Sequence, residues 1–223
     1  MLCMDTNMNK KEVITQLKID YPNPKCELYF KNNYELIVSV ILSAQCTDKR
    51  VNQTTPLLFS KYPTVYDLSK ANISDVENII RPCGFFKNKA KNIVEMAKSV
   101  VDNFGGEIPA NKDDLKSLDG VGEKTANVVL ANGFRIPTIA VDTHVFRVSN
   151  RIGLANATNV TQTQKQLEDS IDKSDWIDFH HSMILHGRNV CKAINPKCDI
   201  CNLSKNCKFY QNLIKKQCKN VQK

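Results

Sequence analysis

Residues 113–130 read DDLKSLDGVGEKTANVVL and contain two short helical patterns on either side of Gly120-Val121-Gly122. These patterns predict one helix over 113–118 and a second over 123–132. The glycines allow a tight backbone turn and let another surface approach its amide groups closely. The default interpretation is an ordinary corner between two helices. A Gly-x-Gly motif alone is too common to indicate a binding motif.

The second helix begins directly after Gly122, so its first amide groups point out of the turn with a partial positive charge. A phosphate group suits that position. The segment of about 113–132 therefore resembles a helix–hairpin–helix, a motif that holds the DNA backbone without reading its sequence.

Helical patterns extend over most of the chain. Apolar residues within 87–104 recur at steps of three and four, and Gly105-Gly106 ends this pattern. Residues 34–44 are apolar on all sides, and their neighbours favour a helix over a strand there. Further helices are predicted over 11–20, 143–152, 161–172 and 176–187.

Two local features complete the secondary-structure prediction. Ser74 and Glu77 have the spacing of a capping box, which predicts the start of a short helix ending near Pro82. Residues 205–223 hold six lysines and no acid, and this predicts a frayed basic tail. No stretch shows convincing period-two alternation with hairpin turns, so the predicted fold class is all-α.

Composition restricts the functional classes. The 223 residues are enough for one large or two small domains, and 31 basic against 23 acidic side chains give a net charge of +8. Such a balance favours a polyanionic partner, either nucleic acid or a membrane surface. The longest apolar stretch, 36–44, is too short to cross a bilayer, and we expect no membrane insertion. The odd number of nine cysteines, without a recognisable signal peptide, favours a reducing, cytoplasmic compartment.

Four cysteines, Cys191, Cys198, Cys201 and Cys207, lie within seventeen residues with the spacing Cys-x6-Cys-x2-Cys-x5-Cys. A set of four nearby thiolates is typical of zinc or of an iron–sulfur cluster. Zinc modules usually pair two short Cys-x2–4-Cys segments, whereas this run has one short spacing between two wide ones. The wide gaps favour a [4Fe–4S] cluster, and zinc or purely structural cysteines remain alternatives. The other cysteines have no spacing that implies a site: Cys3, Cys26, Cys46, Cys83 and Cys218.

Lys124 falls in the first turn of the second predicted helix. The positive end of the helix dipole and partial burial would both disfavour its ammonium form. A neutral amine prepared in this way can attack a sugar C1′ and form a Schiff base. An ordinary solvated lysine is the alternative.

Asp142 precedes a predicted helix in the segment IAVDTHVFR (139–147). An aspartate in this position is a common N-cap, worth about 1 kcal/mol. A capping carboxylate can also activate an amine or water and stabilise positive charge at a breaking glycosidic bond. The two roles are compatible.

Several motifs in order give the chain a specific resemblance. LDGVGEKTANVVL, then VDTHVFRV, then ILHGR and the cysteine run resemble the endonuclease III family of DNA glycosylase/AP lyases, as does ILSAQCTDKRVN (41–52). The resemblance covers roughly residues 10–210. It implies two all-α domains that flank a DNA-binding cleft. A six-helix domain would occupy about 26–136, and residues 1–25 with 137–223 would form the cluster-binding helical domain, with its cluster loop at 191–207.

The resemblance also implies roles for individual residues. Lys124 matches the Schiff-base lysine, Asp142 the catalytic aspartate and the four cysteines the ligands of the cluster. Gln45 matches a residue that fills the gap left by a flipped nucleotide, and Phe85 lies where a bulky wedge is expected. A helix-terminal polar residue and a core residue are their respective alternatives. The remaining DNA-contact candidates are Gly120, Val121 and Gly122 in the hairpin and Lys192 and Lys197 in the cluster loop.

Two residues depart from the family pattern. Asp119 stands where the hairpin usually has proline, and Glu123 where a basic or neutral residue is usual. Both add negative charge beside the expected phosphate contact, which Lys192 and Lys197 could offset. The four histidines are expected to pack or hydrogen-bond and not to act as catalysts: His144, His180, His181 and His186.

The function implied is a monomeric repair enzyme of the bacterial cytoplasm and nucleoid, which acts on double-stranded DNA with damaged pyrimidines or abasic sites. It would be a bifunctional glycosylase/AP lyase that removes oxidised pyrimidines and cuts the strand by β-elimination. A monofunctional glycosylase of the same superfamily is one alternative, although Lys124 argues against it. The other is a non-enzymatic iron–sulfur protein that binds DNA, which would leave Lys124 and Asp142 unexplained.

Overall fold

The computed structural model describes residues 10–221, and every regular element within them is helical, so the all-α prediction is confirmed. Short 3-10 turns connect some of the α-helices, as at Arg81–Cys83. The α-helices are α1 (Lys10–Asp20), α2 (Asn33–Ser43), α3 (Asp48–Lys61), α4 (Val65–Ser69), α5 (Ile73–Ile80), α6 (Phe86–Phe104), α7 (Lys112–Ser117), α8 (Glu123–Gly133), α9 (Thr143–Ile152), α10 (Val160–Glu168), α11 (Trp176–Asn189) and α12 (Lys208–Val221).

The chain divides into two compact units. One, which we call the hairpin unit, is Cys26–Thr138 and contains α2 to α8. The other, the cysteine unit, combines Met1–Lys25 and Ile139–Lys223 as far as these segments are described, and contains α1 and α9 to α12. None of the helices in residues 10–221 combines the length and apolar character needed to cross a membrane.

The hairpin unit is organised around α2, whose apolar residues are buried on all sides, including Leu36, Ile37 and Leu42. It packs against α3, α6 and α8, which explains why its sequence shows no helical period. The long helix α6 packs against α4 and α5. It buries the apolar residues predicted to line one face of this helix, including Ala90, Ile93 and Val100.

Side chains cap most helix starts in the hairpin unit, and two helices differ. Asparagine or threonine caps α2, α3, α4, α5 and α7, whereas α6 and α8 begin at Phe85 and Gly122 without a side-chain cap. The capping box predicted at Ser74 is wrong. Helix α5 begins at Ile73, and its cap is Asn72, whose Oδ1 accepts a hydrogen bond from the Ser74 amide at 2.9 Å. An asparagine side chain reaches the amide two residues on and so starts the helix earlier.

The cysteine unit packs α11 between α1 and α9 around a core that includes Leu17, Val145 and Met183. The frayed tail predicted from residue 205 is wrong for the described residues, because α12 begins at Lys208. The structural reason lies in its first turn. Phe209 packs against the core and receives a cation–π contact from Arg151, whose guanidinium carbon lies 4.6 Å from the ring centroid.

Candidate active site and cysteine centre

The hairpin consists of α7, α8 and the turn between them. Gly120 has φ +76°, and a Cβ there would stand 2.9 Å from the Asn92 Cβ on α6. Glycine is therefore needed at this position for its conformation and for the close packing of α6. A Cβ on Gly122 would meet nothing within 4 Å, so this end of the turn is open. The Val121 side chain is buried, which leaves only the backbone of that residue for a partner.

Helix α8 starts in a way that suits an anion. Gly122 is its N-cap and has no side chain to accept hydrogen bonds from the first amide groups. Lys124, the second residue of the helix, is exposed. The start of α8 is exposed from Gly122 to Lys124, and its amide groups, which have no side-chain cap, can bind phosphate.

Glu123 bridges the two helices of the hairpin. Its carboxylate forms ion pairs with Lys112 and with Lys116 of α7, the latter at 3.2 Å. Burial alone would raise the pKa of Glu123, but hydrogen bonds from the two lysines outweigh it and the pKa is lowered. Glu123 therefore occupies two cations of its own hairpin in addition to adding negative charge.

Gln45 and Phe85 both have left-handed backbone conformations, with φ values of +52° and +47°. This conformation costs a non-glycine residue on the order of 1 kcal/mol and is concentrated at functional sites. Gln45 is exposed just beyond α2, and Phe85 is 65% exposed at the start of α6. The core interpretation of Phe85 is therefore wrong.

Asp142 is the N-cap of α9, as its sequence position suggested. Its Oδ1 accepts a hydrogen bond from the Val145 amide at 2.7 Å, and the side chain is partly buried. Asp142 belongs to the cysteine unit and Lys124 to the hairpin unit.

The four cysteines of the run surround one space. Cys191, Cys198, Cys201 and Cys207 all line one pocket, to which His186 and apolar side chains also contribute. Among residues 10–221, no three His, Cys, Asp or Glu side chains converge closely enough to hold a single metal ion.

Burial controls the protonation of the cysteines that line this pocket. Burial raises the pKa of Cys201 to about 11; a backbone hydrogen bond at Leu203 opposes this shift, and the neighbouring cysteines add to it. Burial likewise raises the pKa of Cys198 and Cys207. As free groups these cysteines are neutral thiols at pH 7, and a positive centre such as a metal cluster would be needed to hold them as thiolates.

Two arginines of α9 hold the loop that follows Cys191. Arg151 donates hydrogen bonds to the carbonyls of Lys192 at 2.6 Å and Ala193 at 2.9 Å. Arg147 donates to the carbonyls of Cys191 and Gly187. Lys192 and Lys197 are both exposed on this loop, as a role in contacting DNA requires.

The structure gives His186 a role beyond packing. Its Nδ1 lies 3.2 Å from the Tyr21 hydroxyl and its Nε2 lies 3.6 Å from the Cys201 Sγ. Burial lowers the pKa of His186 to about 4, although Asp20 opposes the shift, so the ring is neutral at pH 7. The other histidines fit their predicted structural roles: His144 lies 3.2 Å from Arg147, and His180 and His181 are buried in α11.

Three residues with contacts to distant segments were not predicted from the sequence: Lys89, which donates to the Leu42 and Cys83 carbonyls, Arg151 and His186. The ILHGR segment is one of the motifs that carry the resemblance, but nothing in its spacing shows that its histidine reaches Cys201. Lys89 gave no signal, because a lysine in an amphipathic pattern is normally on the solvated face.

Comparison with known proteins agrees with these features. Residues 38–173 match the family model described as HhH-GPD superfamily base excision DNA repair protein. Endonuclease III of Bacillus subtilis (strain 168) is 43% identical over 197 residues, which cover 88% of this chain and 90% of that protein.

Two solved structures are similar over most of their length. A non-covalent endonuclease III–DNA complex gives a TM-score of 0.87 at 40% identity, covering 92% of this chain and 96% of the other. A trapped endonuclease III–DNA covalent intermediate gives the same score and identity, covering 92% and 99%. The chain belongs to the HhH-GPD superfamily of base excision DNA repair proteins and, within it, to the endonuclease III family.

Proposed function

We propose that this protein is a bifunctional DNA glycosylase and AP lyase of base excision repair that removes oxidised pyrimidines from duplex DNA. The observation that carries the proposal is the start of α8, where the exposed Lys124 lies in a first turn whose amides have no side-chain cap. A covalent intermediate with DNA has been trapped for a similar endonuclease III.

The reaction uses Lys124 as the nucleophile. Its neutral amine attacks C1′ of the damaged nucleotide, the glycosidic bond breaks, and the base leaves with a proton. The second amine proton then passes to O4′ as the C1′–O4′ bond breaks, which opens the sugar ring and leaves an imine between Nζ and C1′. Removal of a C2′ proton then expels the 3′ phosphate by β-elimination, and hydrolysis of the imine frees the enzyme.

Asp142 supplies negative charge in this scheme. One carboxylate oxygen is engaged by the Val145 amide, which fixes the orientation of the group. The charge stabilises the cationic sugar as the glycosidic bond breaks, and a preorganised charge is most effective where water is excluded.

The damaged nucleotide must leave the base stack before Lys124 can reach its sugar. We assign the filling of the resulting gap to Gln45 and the wedge to Phe85, which are both exposed and conformationally strained. The open backbone at Gly122 and the amides that start α8 bind a phosphate, and Lys192 and Lys197 add sequence-independent contacts.

The four cysteines fit a [4Fe–4S] cluster. All four line one pocket, and four convergent thiols are the ligand set that such a cluster takes. A single zinc ion would require the sulfurs at about 2.3 Å from one point. When bound, the cluster supplies a rigid structural centre for residues 191–207. The chemistry at C1′ requires no electron transfer.

The protein would act as a monomer on double-stranded DNA. The bacterial origin of a similar endonuclease III supports a place in the cytoplasm, at the nucleoid.

Borohydride trapping on a duplex that contains one thymine glycol tests the function. A covalent protein–DNA product is expected, with strand cleavage when borohydride is omitted. A monofunctional glycosylase would release the base without a covalent product, and a non-enzymatic DNA-binding protein would do neither, so either result would reject the proposal.

A further inference from the structure

Lys89 is a buried lysine that the reaction does not use. It lies in the first turn of α6 and its side chain is 5% exposed. Burial lowers its pKa, and the nearby Cys46 and Cys83 oppose that shift. A lysine is seldom buried to this extent unless its ammonium group has partners.

The partners of Lys89 are two backbone carbonyls from different segments. Its Nζ donates hydrogen bonds to the carbonyl oxygens of Leu42 and Cys83, each at 2.9 Å. Because both oxygens contact one nitrogen, they lie no more than about 6 Å apart. Lys89 therefore joins the last turn of α2 to the 3-10 turn Arg81–Cys83 that precedes α6.

The bond to Leu42 completes the end of α2. The neighbouring carbonyls of the last turn have local partners: Val40 accepts from the Ser43 hydroxyl, Ile41 from the Ala44 amide and Ser43 from the Cys46 amide. Leu42 takes its hydrogen bond from a side chain 47 residues away. The end of this helix is thus tied to α6 and not only to its own turn.

Each of these carbonyls stands just before an exposed residue with a left-handed backbone, Gln45 or Phe85. Gln45 follows Leu42 by three residues, and Phe85 follows Cys83 by two. We propose that Lys89 is a positioning residue, which fixes the Gln45 turn and the Phe85 turn relative to each other so that both act on the same base step of the duplex. This inference rests on the proposed function, since it takes Gln45 and Phe85 to be the residues that open the stack.

The geometry explains why a lysine is used. Neighbouring base pairs are about 3.4 Å apart, so a gap-filling residue and a wedge must keep their spacing to within a fraction of that distance. An apolar side chain could fill the volume of Lys89 but could not donate to both carbonyls. Without these bonds the two turns could relax from their strained conformations independently.

Two assays separate duplex opening from chemistry. The first is single-turnover release of thymine glycol from a duplex. The second is borohydride trapping on a single-stranded oligonucleotide with one abasic site, which needs no opened stack. For Lys89→Met we expect base release to fall roughly 10- to 100-fold and single-strand trapping to stay within about twofold of wild type.

Lys98→Met is the matched control. It removes the same charge from the same helix, roughly 13 Å further along, where Lys98 forms an exposed ion pair with Glu95. Both rates should match wild type. Lys89→Arg, which keeps donors at this position, should recover part of the lost base release.

A double-mutant cycle tests whether Lys89 acts through the two turns. Gln45→Ala and Phe85→Ala should each slow base release in the wild-type background and have much less effect in the Lys89→Met background. Fully additive effects, or normal base release by Lys89→Met, would overturn the inference. If Lys89→Met is unfolded at the assay temperature, Lys89→Gln takes its place, since its shorter neutral amide cannot hold both carbonyls. A wild-type protein that traps no DNA would instead reject the proposed function itself.

Discussion

At the scale of single residues, both proposed catalytic groups owe their placement to helix starts. Lys124 is the second residue of α8, and Asp142 is the N-cap of α9. The positive end of a helix favours an anion and disfavours an ammonium ion nearby. The helix start therefore stabilises the carboxylate of Asp142 at α9, and at α8 it places Lys124 in the same turn as the proposed phosphate site.

Asp142 can be tested for catalysis separately from capping. Asparagine accepts the Val145 hydrogen bond but carries no charge, so Asp142→Asn should keep the thermal midpoint and lose base release by about 10²-fold or more. Asp142→Ala should lose the activity and also about 1 kcal/mol of stability. Circular dichroism melts and single-turnover assays measure the two effects. Normal turnover by the asparagine variant would leave Asp142 only its structural role.

Sequence predicted some of these residues and not others, for a physical reason. The positions of Lys124 and Asp142 depend on local helix boundaries, which local patterns reveal. The roles of Lys89 and His186 depend on partners 47 and 15 residues away, Leu42 and Cys201. Such contacts form only when helices pack.

At the scale of elements, the two glycines of the hairpin have different roles: Gly120 is needed for the fold and Gly122 leaves the turn open to a partner. Gly120→Ala should lower the free energy of unfolding by about 1 kcal/mol or more, because φ at this position is +76° and the added Cβ would contact Asn92. Gly122→Ala places its Cβ in open space, so stability should hold while DNA affinity falls. Urea unfolding measures the stability of the two variants, and filter binding to undamaged duplex measures their DNA affinity. An unchanged affinity for Gly122→Ala would show that phosphate does not approach this turn.

The ion pairs of Glu123 predict an effect on salt dependence. Glu123→Gln frees Lys112 and Lys116, so binding to undamaged duplex should tighten and the slope of log K against log salt should steepen by up to about two. Asp119→Asn also removes one exposed negative charge next to the hairpin and should steepen the slope less. Equal slopes for the two variants would mean that the released lysines do not reach DNA.

The same ion pairs give a pH dependence with a definite sign. The pKa of Glu123 is lowered in the folded state. Its contribution to stability is therefore complete above the ordinary carboxyl pKa and is lost as the pH falls through the folded value. When the free energy of unfolding is measured against pH, Glu123→Gln should lack the small loss of stability at acid pH that the wild type shows. The effect is modest because the side chains are exposed.

The cysteine loop predicts the metal content. Purified protein should be yellow-brown and contain about four iron atoms and four acid-labile sulfides per chain. Removal of the cluster should weaken the structure of residues 191–207, measured as faster proteolysis of that loop. One zinc ion and no visible absorption would reject the cluster while leaving the glycosylase assignment in place.

Helices with strong local signals were predicted well, and those that depend on packing were not. The stripe predicted over 87–104 became α6, Phe86–Phe104. Helix α3 was missed because it contains Pro56 and buries only a narrow face. Helix α12 was misread as a tail because its lysines hide the packing of Phe209 on the core.

At the scale of the whole molecule, the chain leaves the hairpin unit only after α8, and the two proposed catalytic residues belong to different units. Lys124 belongs to Cys26–Thr138, and Asp142 follows its boundary by four residues. The net charge of +8 suits a polyanionic partner, and family membership identifies the field of activity as base excision repair. The order of motifs along the chain predicted this assignment, because that order is a property of the entire sequence.

The most direct test of the central claim is the identity of the residue that becomes bonded to DNA. Borohydride trapping on a thymine glycol duplex, followed by digestion and mass spectrometry, should place the modification on Lys124. Lys124→Gln should fold and bind DNA but trap nothing, while Lys91→Gln, which removes an exposed lysine of α6, should trap at the wild-type rate. Trapping by Lys124→Gln at the wild-type rate, or a modification on another amine, would contradict the account.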